Sequence, residues 1–183
     1  KAFQYQAKRS FENVMVAVVE KDNSYKVFVV NDEIEEYTGE LITELIDFKG
    51  KLLWSDRVKT VLPKNNSHDH LEIPKVYWKD FNLKQAVVSV RFQSDKKFSG
   101  SFYYFAKPKD LQLTKPNIQI RKIDDLTYEI SSDVLAKNVL LSSEEAAFFS
   151  DNYFDILPKR KVVVKVSKPI KSIKIKSLFD TLK

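Results

Sequence analysis

The sequence contains no cysteine and three glycines among its 183 residues. Without cysteine, the chain can form no disulfide, no thiolate metal site and no cysteine nucleophile. It also has no Gly-rich phosphate-binding loop, since neither G-x-G-x-x-G nor G-x-x-x-x-G-K-S/T occurs in it. No apolar run approaches the roughly 18 residues that a membrane span requires. These absences argue against a nucleotide-binding α/β enzyme, and they predict a chain that uses no cofactor and contacts no membrane.

Hydrophobic residues make up 43% of the chain and aromatic residues 13%, which is enough to build a buried core. The high aromatic content favours strands, where rings pack well on a pleated surface. From Val16 onward, apolar and polar residues alternate with a period of two, and turn residues recur about every ten positions. This pattern is typical of an immunoglobulin-like β-sandwich.

The alternation predicts two series of strands. The first series is predicted at 16–20, 24–31, 39–47, 52–61, 68–73, 86–94 and 97–106, and the second at 118–123, 127–132, 138–141, 147–150, 161–167 and 172–177. Between the series, Pro108 and Pro116 interrupt the pattern and indicate a linker. We therefore predict an all-β fold with two tandem immunoglobulin-like β-sandwich domains, at 15–107 and 108–183.

A different period precedes the strands. Phe3, Ala7 and Phe11 recur at i, i+4 and i+8, which predicts a short amphipathic helix over residues 1–14. A helix of this length is marginal in water, so its apolar face is expected to need a partner.

The net charge of +6 raises the question of a nucleic-acid partner. However, the lysines of 161–165 and 171–176 alternate with valine or isoleucine, which places them on the solvated face of a strand. No nucleic-acid-binding motif accompanies them. We therefore expect no nucleic-acid partner.

Three groups of residues could carry chemistry or binding. His68 and His70 share one face of a predicted strand and could bind a metal ion, although surface imidazoles are the favoured interpretation, and no metal site is assigned. Clustered carboxylates occur at Glu33, Glu35 and Glu36, at Glu144 and Glu145, and at Asp151 and Asp155. Because they stand in polar loops, none is assigned a catalytic role.

Exposed aromatic residues could instead stack on a sugar ring. Trp78, Tyr103 and Tyr104 are the candidates for this carbohydrate contact. Burial in the core or at a domain contact is the favoured alternative for them, because large aromatic side chains usually bury most of their surface.

Two stretches of the second series resemble a known family. Ala136, Val139, Leu141 and Ser142 match the pattern A-x-x-V-x-L-S, and the run FSDNYFDILP at 149–158 matches F-S-D-N-Y/F-F-D-L-L-P. Both patterns resemble the C-terminal immunoglobulin-like domain of β-mannosidases in glycoside hydrolase family 2. The segments 29–32, 102–105, 108–113 and 177–180 resemble this family in the same order. Lys159 stands where the family usually has glycine, so that turn is expected to differ in shape.

The resemblance implies that residues 1–14 are the closing helix of a catalytic (β/α)8 barrel. The parent would be a periplasmic or secreted, retaining, exo-acting hydrolase of β-linked mannose, with both catalytic Glu residues in that barrel. We therefore expect a non-catalytic accessory region that packs on the barrel of the same chain and stabilises it. The alternatives are a module that binds manno-oligosaccharides, and a fragment of a related family 2 exo-β-glucosaminidase.

Overall fold

The computed structural model describes residues 2–182, which form one α-helix, four short 3-10 helices and thirteen strands. Over this range, none of the helices has the length and apolar character that crossing a membrane would require. The helix and strands are α1 Ala2–Ser10, β1 Val14–Lys21, β2 Ser24–Asn31, β3 Tyr37–Asp47, β4 Leu52–Leu62, β5 Asn66–Pro74, β6 Ala86–Gln93, β7 Phe98–Tyr104, β8 Ile118–Lys122, β9 Thr127–Ser132, β10 Ala136–Ser142, β11 Phe154–Ile156, β12 Lys161–Lys165 and β13 Lys174–Lys176.

The first compact unit comprises Ser10–Asp47 and Lys51–Leu111. One of its sheets has the order β1-β2-β5 and the other the order β4-β3-β6-β7, with every neighbouring pair antiparallel. Alternate residues of these strands point to the inner faces. The resulting core is rich in β-branched and aromatic side chains, among them Val27, Val29 and Phe92.

The second compact unit comprises the N-terminal residues through Arg9, the turn Phe48–Gly50 and the chain from Gln112 onward. Its sheets have the orders β12-β9-β8 and β11-β10-β13. Ile130, Val139 and Val164 lie at the centre of its core and are almost fully buried.

The predicted all-β fold is confirmed, although three elements differ from the sequence-based prediction. The helix ends at Ser10 rather than at residue 14, because the chain enters strand β1 at Val14, which is buried. Residues 147–150 form no strand and make a single bridge, between Phe149 and Val166. The pattern also missed β11, whose three residues are too few to show a period.

Left-handed backbone is carried mainly by residues other than glycine. Asp22, Asn65, Asn138, Tyr153 and Lys159 all have positive φ angles, and Gly50 is the one glycine with a positive φ. Asp and Asn tolerate this region because their short polar side chains can hydrogen-bond locally. The turn at Lys159, with φ of 64°, adopts a backbone angle that glycine reaches without steric cost.

Candidate functional site

The segment Phe149–Tyr153 forms a polar surface next to strand β10. Asn152 is buried, and its side-chain amide pairs with the backbone of Leu141: Leu141 N–H donates to Oδ1 at 2.8 Å, and Nδ2 donates to the Leu141 carbonyl at 2.9 Å. The Asn152 amide thus makes the pair of hydrogen bonds to β10 that the backbone of a neighbouring strand would make. These bonds hold the segment against β10 although it is not itself a strand. We call Phe149–Tyr153 the helix-docking segment.

Helix α1 is attached to this segment by polar contacts. Arg9 Nη1 lies 2.6 Å from Asp151 Oδ1, and its guanidinium also donates to the carbonyls of Asn152 and Tyr153, both at 3.3 Å. The hydroxyl of Tyr5 donates to the Phe149 carbonyl at 3.2 Å. A guanidinium shared among several oxygens fixes the orientation of the helix better than a single point contact would.

Two further contacts complete this attachment. Lys8 Nζ donates to the Ser150 carbonyl at 3.2 Å, and the rings of Tyr5 and Tyr153 lie 6.2 Å apart. Burial raises the pKa of the Tyr5 hydroxyl, and the nearby Asp151 carboxylate raises it further. Tyr5 therefore stays a hydrogen-bond donor at any physiological pH.

The apolar side of α1 points elsewhere. Phe3 is 82% exposed, and no residue of α1 is buried. The helix thus binds the helix-docking segment through its polar residues and leaves its largest apolar side chain in solvent. This arrangement is the reverse of an ordinary surface helix, which turns its apolar face inward.

In the first unit, Trp78 is the centre of a cluster of aromatic rings. It is fully buried; its ring stacks on Tyr25 at 5.0 Å and meets Trp54 and Phe105 edge-on, both at 5.6 Å. Ring pairs at these separations contribute about 0.5–1.5 kcal/mol each beyond the area they bury. In this arrangement, the ring of Trp78 has no face open to a sugar.

Tyr103 lies at the edge of the same cluster, where its hydroxyl donates to Glu20 Oε2 at 2.9 Å. The other oxygen of Glu20 lies 2.5 Å from Lys75 Nζ. Burial and the Glu20 carboxylate raise the pKa of Tyr103, whereas Lys75 and Tyr103 lower the pKa of Glu20. Tyr104 is the next residue of β7 and points to the opposite face, so the structure does not bring Trp78, Tyr103 and Tyr104 onto one surface.

Sequence reasoning missed the more exposed aromatic residues of β7. Phe98 is 67% exposed and Phe102 is 37% exposed, and they flank Gly100 on one face of this edge strand. The alternation Phe-x-Gly-x-Phe was the signal that could have identified them. A pair of open rings on a strand is a surface on which a sugar or a protein can stack.

The clustered carboxylates of the second unit serve as structural partners. Asp155 pairs with Lys137 at 3.1 Å and accepts from the Asn138 N–H at 2.7 Å. Glu144 lies 2.7 Å from Lys174, and Glu145 accepts hydrogen bonds from the Ser143 hydroxyl and the Lys171 N–H. The Ser143 hydrogen bond lowers the pKa of Glu145, which is opposite to what a general acid requires.

A shallow depression of about 550 Å³ in the first unit is lined mainly by charged residues. Lys97 Nζ lies 2.5 Å from Glu33 Oε1, and the Tyr37 hydroxyl donates to the same carboxylate. Lys97 is the main cause of the lowered pKa of Glu33. The charges of Lys97 and Glu33 thus satisfy each other within the depression.

Comparison with known sequences gives a family for each unit. Residues 23–110 match the family described as Mannosidase Ig/CBM-like domain, and residues 113–181 match the one described as Ig-fold domain. Among curated protein sequences, none matches the chain.

Solved structures agree with these families. The β-D-mannosidase from Dictyoglomus thermophilum is 25% identical with a TM-score of 0.80, over 94% of this chain and 22% of that chain. The exo-chitosanase of Amycolatopsis orientalis is 12% identical with a TM-score of 0.66, over 96% of this chain and 26% of that chain, and at this identity the likeness shows the fold alone. The chain thus spans about a quarter of the length of these proteins. It therefore consists of two immunoglobulin-like domains of the mannosidase type found in glycoside hydrolase family 2, a mannosidase Ig/CBM-like domain followed by an Ig-fold domain.

Proposed function

We propose that this chain is a non-catalytic accessory region of a longer glycoside hydrolase of the β-mannosidase type, and that it stabilises the catalytic barrel. The observation that carries the proposal is the attachment of α1. Tyr5, Lys8 and Arg9 tie the helix to the helix-docking segment, while Phe3 stays exposed. A helix bound by its polar side can present its apolar side to a neighbouring barrel.

The carboxylates support a non-catalytic role. Glycoside hydrolysis needs two carboxyl groups that face one sugar, one of them with a raised pKa. The four candidates in the second unit, Glu144, Glu145, Asp151 and Asp155, instead hold turns and ion pairs of that unit. The chemistry would then belong to residues outside this chain.

The parent's substrate is proposed from similarity. The β-D-mannosidase of Dictyoglomus thermophilum is 25% identical to this chain, about twice the 12% identity of the exo-chitosanase. We therefore favour hydrolysis of β-linked mannose by the parent over hydrolysis of β-linked glucosamine.

Turnover assays test this proposal directly. The 183-residue chain should hydrolyse neither p-nitrophenyl β-mannoside nor p-nitrophenyl β-glucosaminide. The full product of the gene that encodes this chain should cleave p-nitrophenyl β-mannoside faster than p-nitrophenyl β-glucosaminide. Hydrolysis by the chain alone would contradict the non-catalytic assignment. A preference of the full gene product for the glucosaminide would identify the parent as an exo-β-glucosaminidase instead.

The accessory role needs its own experiment. In the full gene product, Arg9→Ala should lower the temperature at which half of the hydrolase activity is lost. It should leave the KM for the mannoside unchanged. Gln4→Ala is the matched control, because Gln4 is an exposed residue of the same helix. Equal inactivation temperatures for Arg9→Ala, Gln4→Ala and the unsubstituted protein would contradict a stabilising role of the attachment.

A carbohydrate-binding module is the second candidate, favoured by the open rings of Phe98 and Phe102. It predicts heat on calorimetric titration of the chain with mannobiose and mannotriose, and loss of that heat in Phe98→Ala. Tyr104→Ala tests the neighbouring candidate on the same face of β7. An absence of heat at millimolar sugar would remove this candidate.

A further inference from the structure

The two histidines of the chain lie side by side on strand β5. His68 Nε2 is 3.0 Å from His70 Nδ1, and the ring centroids are 5.0 Å apart with an interplanar angle of 66°. Both residues are half-buried. The two ring nitrogens thus face each other at hydrogen-bond distance, a separation that two ligands of one ion can also have when each metal–nitrogen bond is about 2.0–2.1 Å.

A bulge in β5 explains this convergence. Phe28 of strand β2 pairs with Asp69 and Val27 pairs with Leu71, so His70 is the extra residue that has no Cα partner on β2. A bulge bends the strand and re-aims the side chain at the extra position. His70 therefore leans toward His68, which regular strand geometry would keep about 7 Å away from it along the strand.

Asn66 orients the first imidazole. Its Oδ1 lies 3.2 Å from His68 Nδ1, and an amide oxygen only accepts hydrogen bonds. His68 Nδ1 therefore carries the hydrogen, and the lone pair lies on Nε2, the atom that faces His70. A hydrogen bond to the distal ring nitrogen is the usual way in which proteins orient a metal-binding histidine.

Charges near the pair do not compete for it. Asp69 lies between the two histidines in sequence but points to the opposite face, where it forms an ion pair with Lys26 at 2.8 Å.

We propose that His68 Nε2 and His70 Nδ1 together bind one divalent transition-metal ion of the Zn²⁺, Ni²⁺ or Cu²⁺ type. Imidazole nitrogen suits these ions, whereas Mg²⁺ and Ca²⁺ prefer oxygen ligands. On binding, the hydrogen of His70 moves from Nδ1 to Nε2, so the pair neither gains nor releases a net proton. Within residues 2–182 no third His, Asp or Glu joins a metal-binding group, so water completes the coordination and affinity is lower than at a closed four-ligand site.

Calorimetric titration of the 183-residue chain with NiCl₂ and ZnCl₂, in a non-chelating buffer at pH 7.5, tests the site. We expect one ion per chain, loss of binding in both His68→Ala and His70→Ala, and no binding of Mg²⁺. Asn66→Ala should weaken binding by roughly tenfold or more, because it frees the ring that Asn66 orients.

Asp69→Asn is the matched control, since it changes the residue between the histidines without touching the ring nitrogens. It should bind Ni²⁺ as the parent chain does. Paramagnetic Ni²⁺ should also broaden the imidazole proton signals of both histidines in NMR spectra before other signals. Absence of one-to-one binding, parental affinity in folded His70→Ala, or loss of binding in Asp69→Asn would overturn the proposal.

Discussion

Asn152 shows how one buried side chain can take the place of a strand. Its amide supplies both an acceptor and a donor to the backbone of Leu141, and Oδ1 also accepts from the Tyr153 N–H at 3.0 Å. The left-handed φ of Tyr153 then turns the chain into β11. The asparagine of the FSDN motif is therefore explained by its hydrogen bonds to the backbone.

Asn152→Ala should destabilise the second unit by about 2–3 kcal/mol, because the Leu141 N–H and carbonyl lose buried partners. Urea denaturation followed by circular dichroism measures this loss. Gln119→Ala, at an exposed position of strand β8, is the control and should change stability by less than about 0.5 kcal/mol. Equal stability of the two variants would show that water replaces the amide.

The ion pair between Lys137 and Asp155 is another residue-scale determinant, since both side chains are only 10% exposed. Lys137→Met should destabilise the second unit by up to about 3 kcal/mol, because it removes the buried counter-charge that Lys137 supplies to the Asp155 carboxylate. Lys174→Met is the matched control, as Lys174 and Glu144 form a pair that is 65% and 75% exposed. The control should cost less than about 1 kcal/mol in the same urea titration. A small loss of unfolding free energy in Lys137→Met would mean that water reaches the Asp155 carboxylate more easily than its burial indicates.

At the scale of elements, strand β3 approaches its neighbour β6 unusually closely at Gly39. A Cβ built on Gly39 would lie 2.3 Å from the Gln93 carbonyl oxygen and 2.8 Å from Cζ of Phe92. A Cβ on Gly100 in β7 would meet nothing closer than 3.5 Å. Two glycines in strands of one sheet thus have different reasons to be there.

Gly39→Ala should destabilise the first unit by about 1–3 kcal/mol, because the added methyl group displaces strand backbone and the Phe92 ring. Gly100→Ala should be neutral or stabilising by up to about 1 kcal/mol, since alanine loses less conformational entropy in a strand. Thermal unfolding of both variants provides the measurement. A smaller effect at Gly39 than at Gly100 would contradict this account of the sheet.

At the scale of the whole molecule, surface carboxylates make stability depend on pH. Lys75 and Tyr103 lower the pKa of Glu20, and Lys97 and Tyr37 lower that of Glu33. A carboxyl group whose pKa is lower in the folded state contributes stability above its unfolded pKa and loses it as pH falls. Glu20 raises the pKa of Lys75, which gives the opposite dependence at high pH.

We therefore expect the free energy of unfolding to fall below about pH 4.5, through the lowered pKa values of the carboxyl groups, and above about pH 10.5, through the raised pKa of Lys75. The lowered pKa of His70 adds a loss of stability below about pH 6.5. Urea titrations between pH 3 and pH 11 measure the profile. Glu20→Gln should flatten both limbs, and an unchanged acid limb in that variant would assign it to other carboxylates.

The sequence predicted regular strands well where alternation is strict. Strands Ser24–Asn31 and Thr127–Ser132 have the bounds that the pattern indicates. The pattern was less informative where a side chain replaces backbone pairing, as Asn152 does, because a buried amide has no periodic signal. Alternation could not predict the burial of Trp78 either, because this residue lies in a 3-10 helix outside the strands.

The candidate surfaces were harder to predict, because they depend on contacts between distant residues. Arg9 and Asp151 stand 142 positions apart, so no local pattern can pair them. The H-x-H pattern did place His68 and His70 on one strand. The bulge that brings their nitrogens together depends on pairing with β2, which the sequence of β5 alone does not encode.

The long separation between α1 and its docking segment has a consequence for biosynthesis. Since Arg9 and Asp151 are 142 positions apart, α1 leaves the ribosome well before the segment that receives it. At about 5–20 residues per second, the delay amounts to roughly 7–30 seconds. During this interval the nascent helix lacks the polar contacts that Tyr5, Lys8 and Arg9 make in the folded chain.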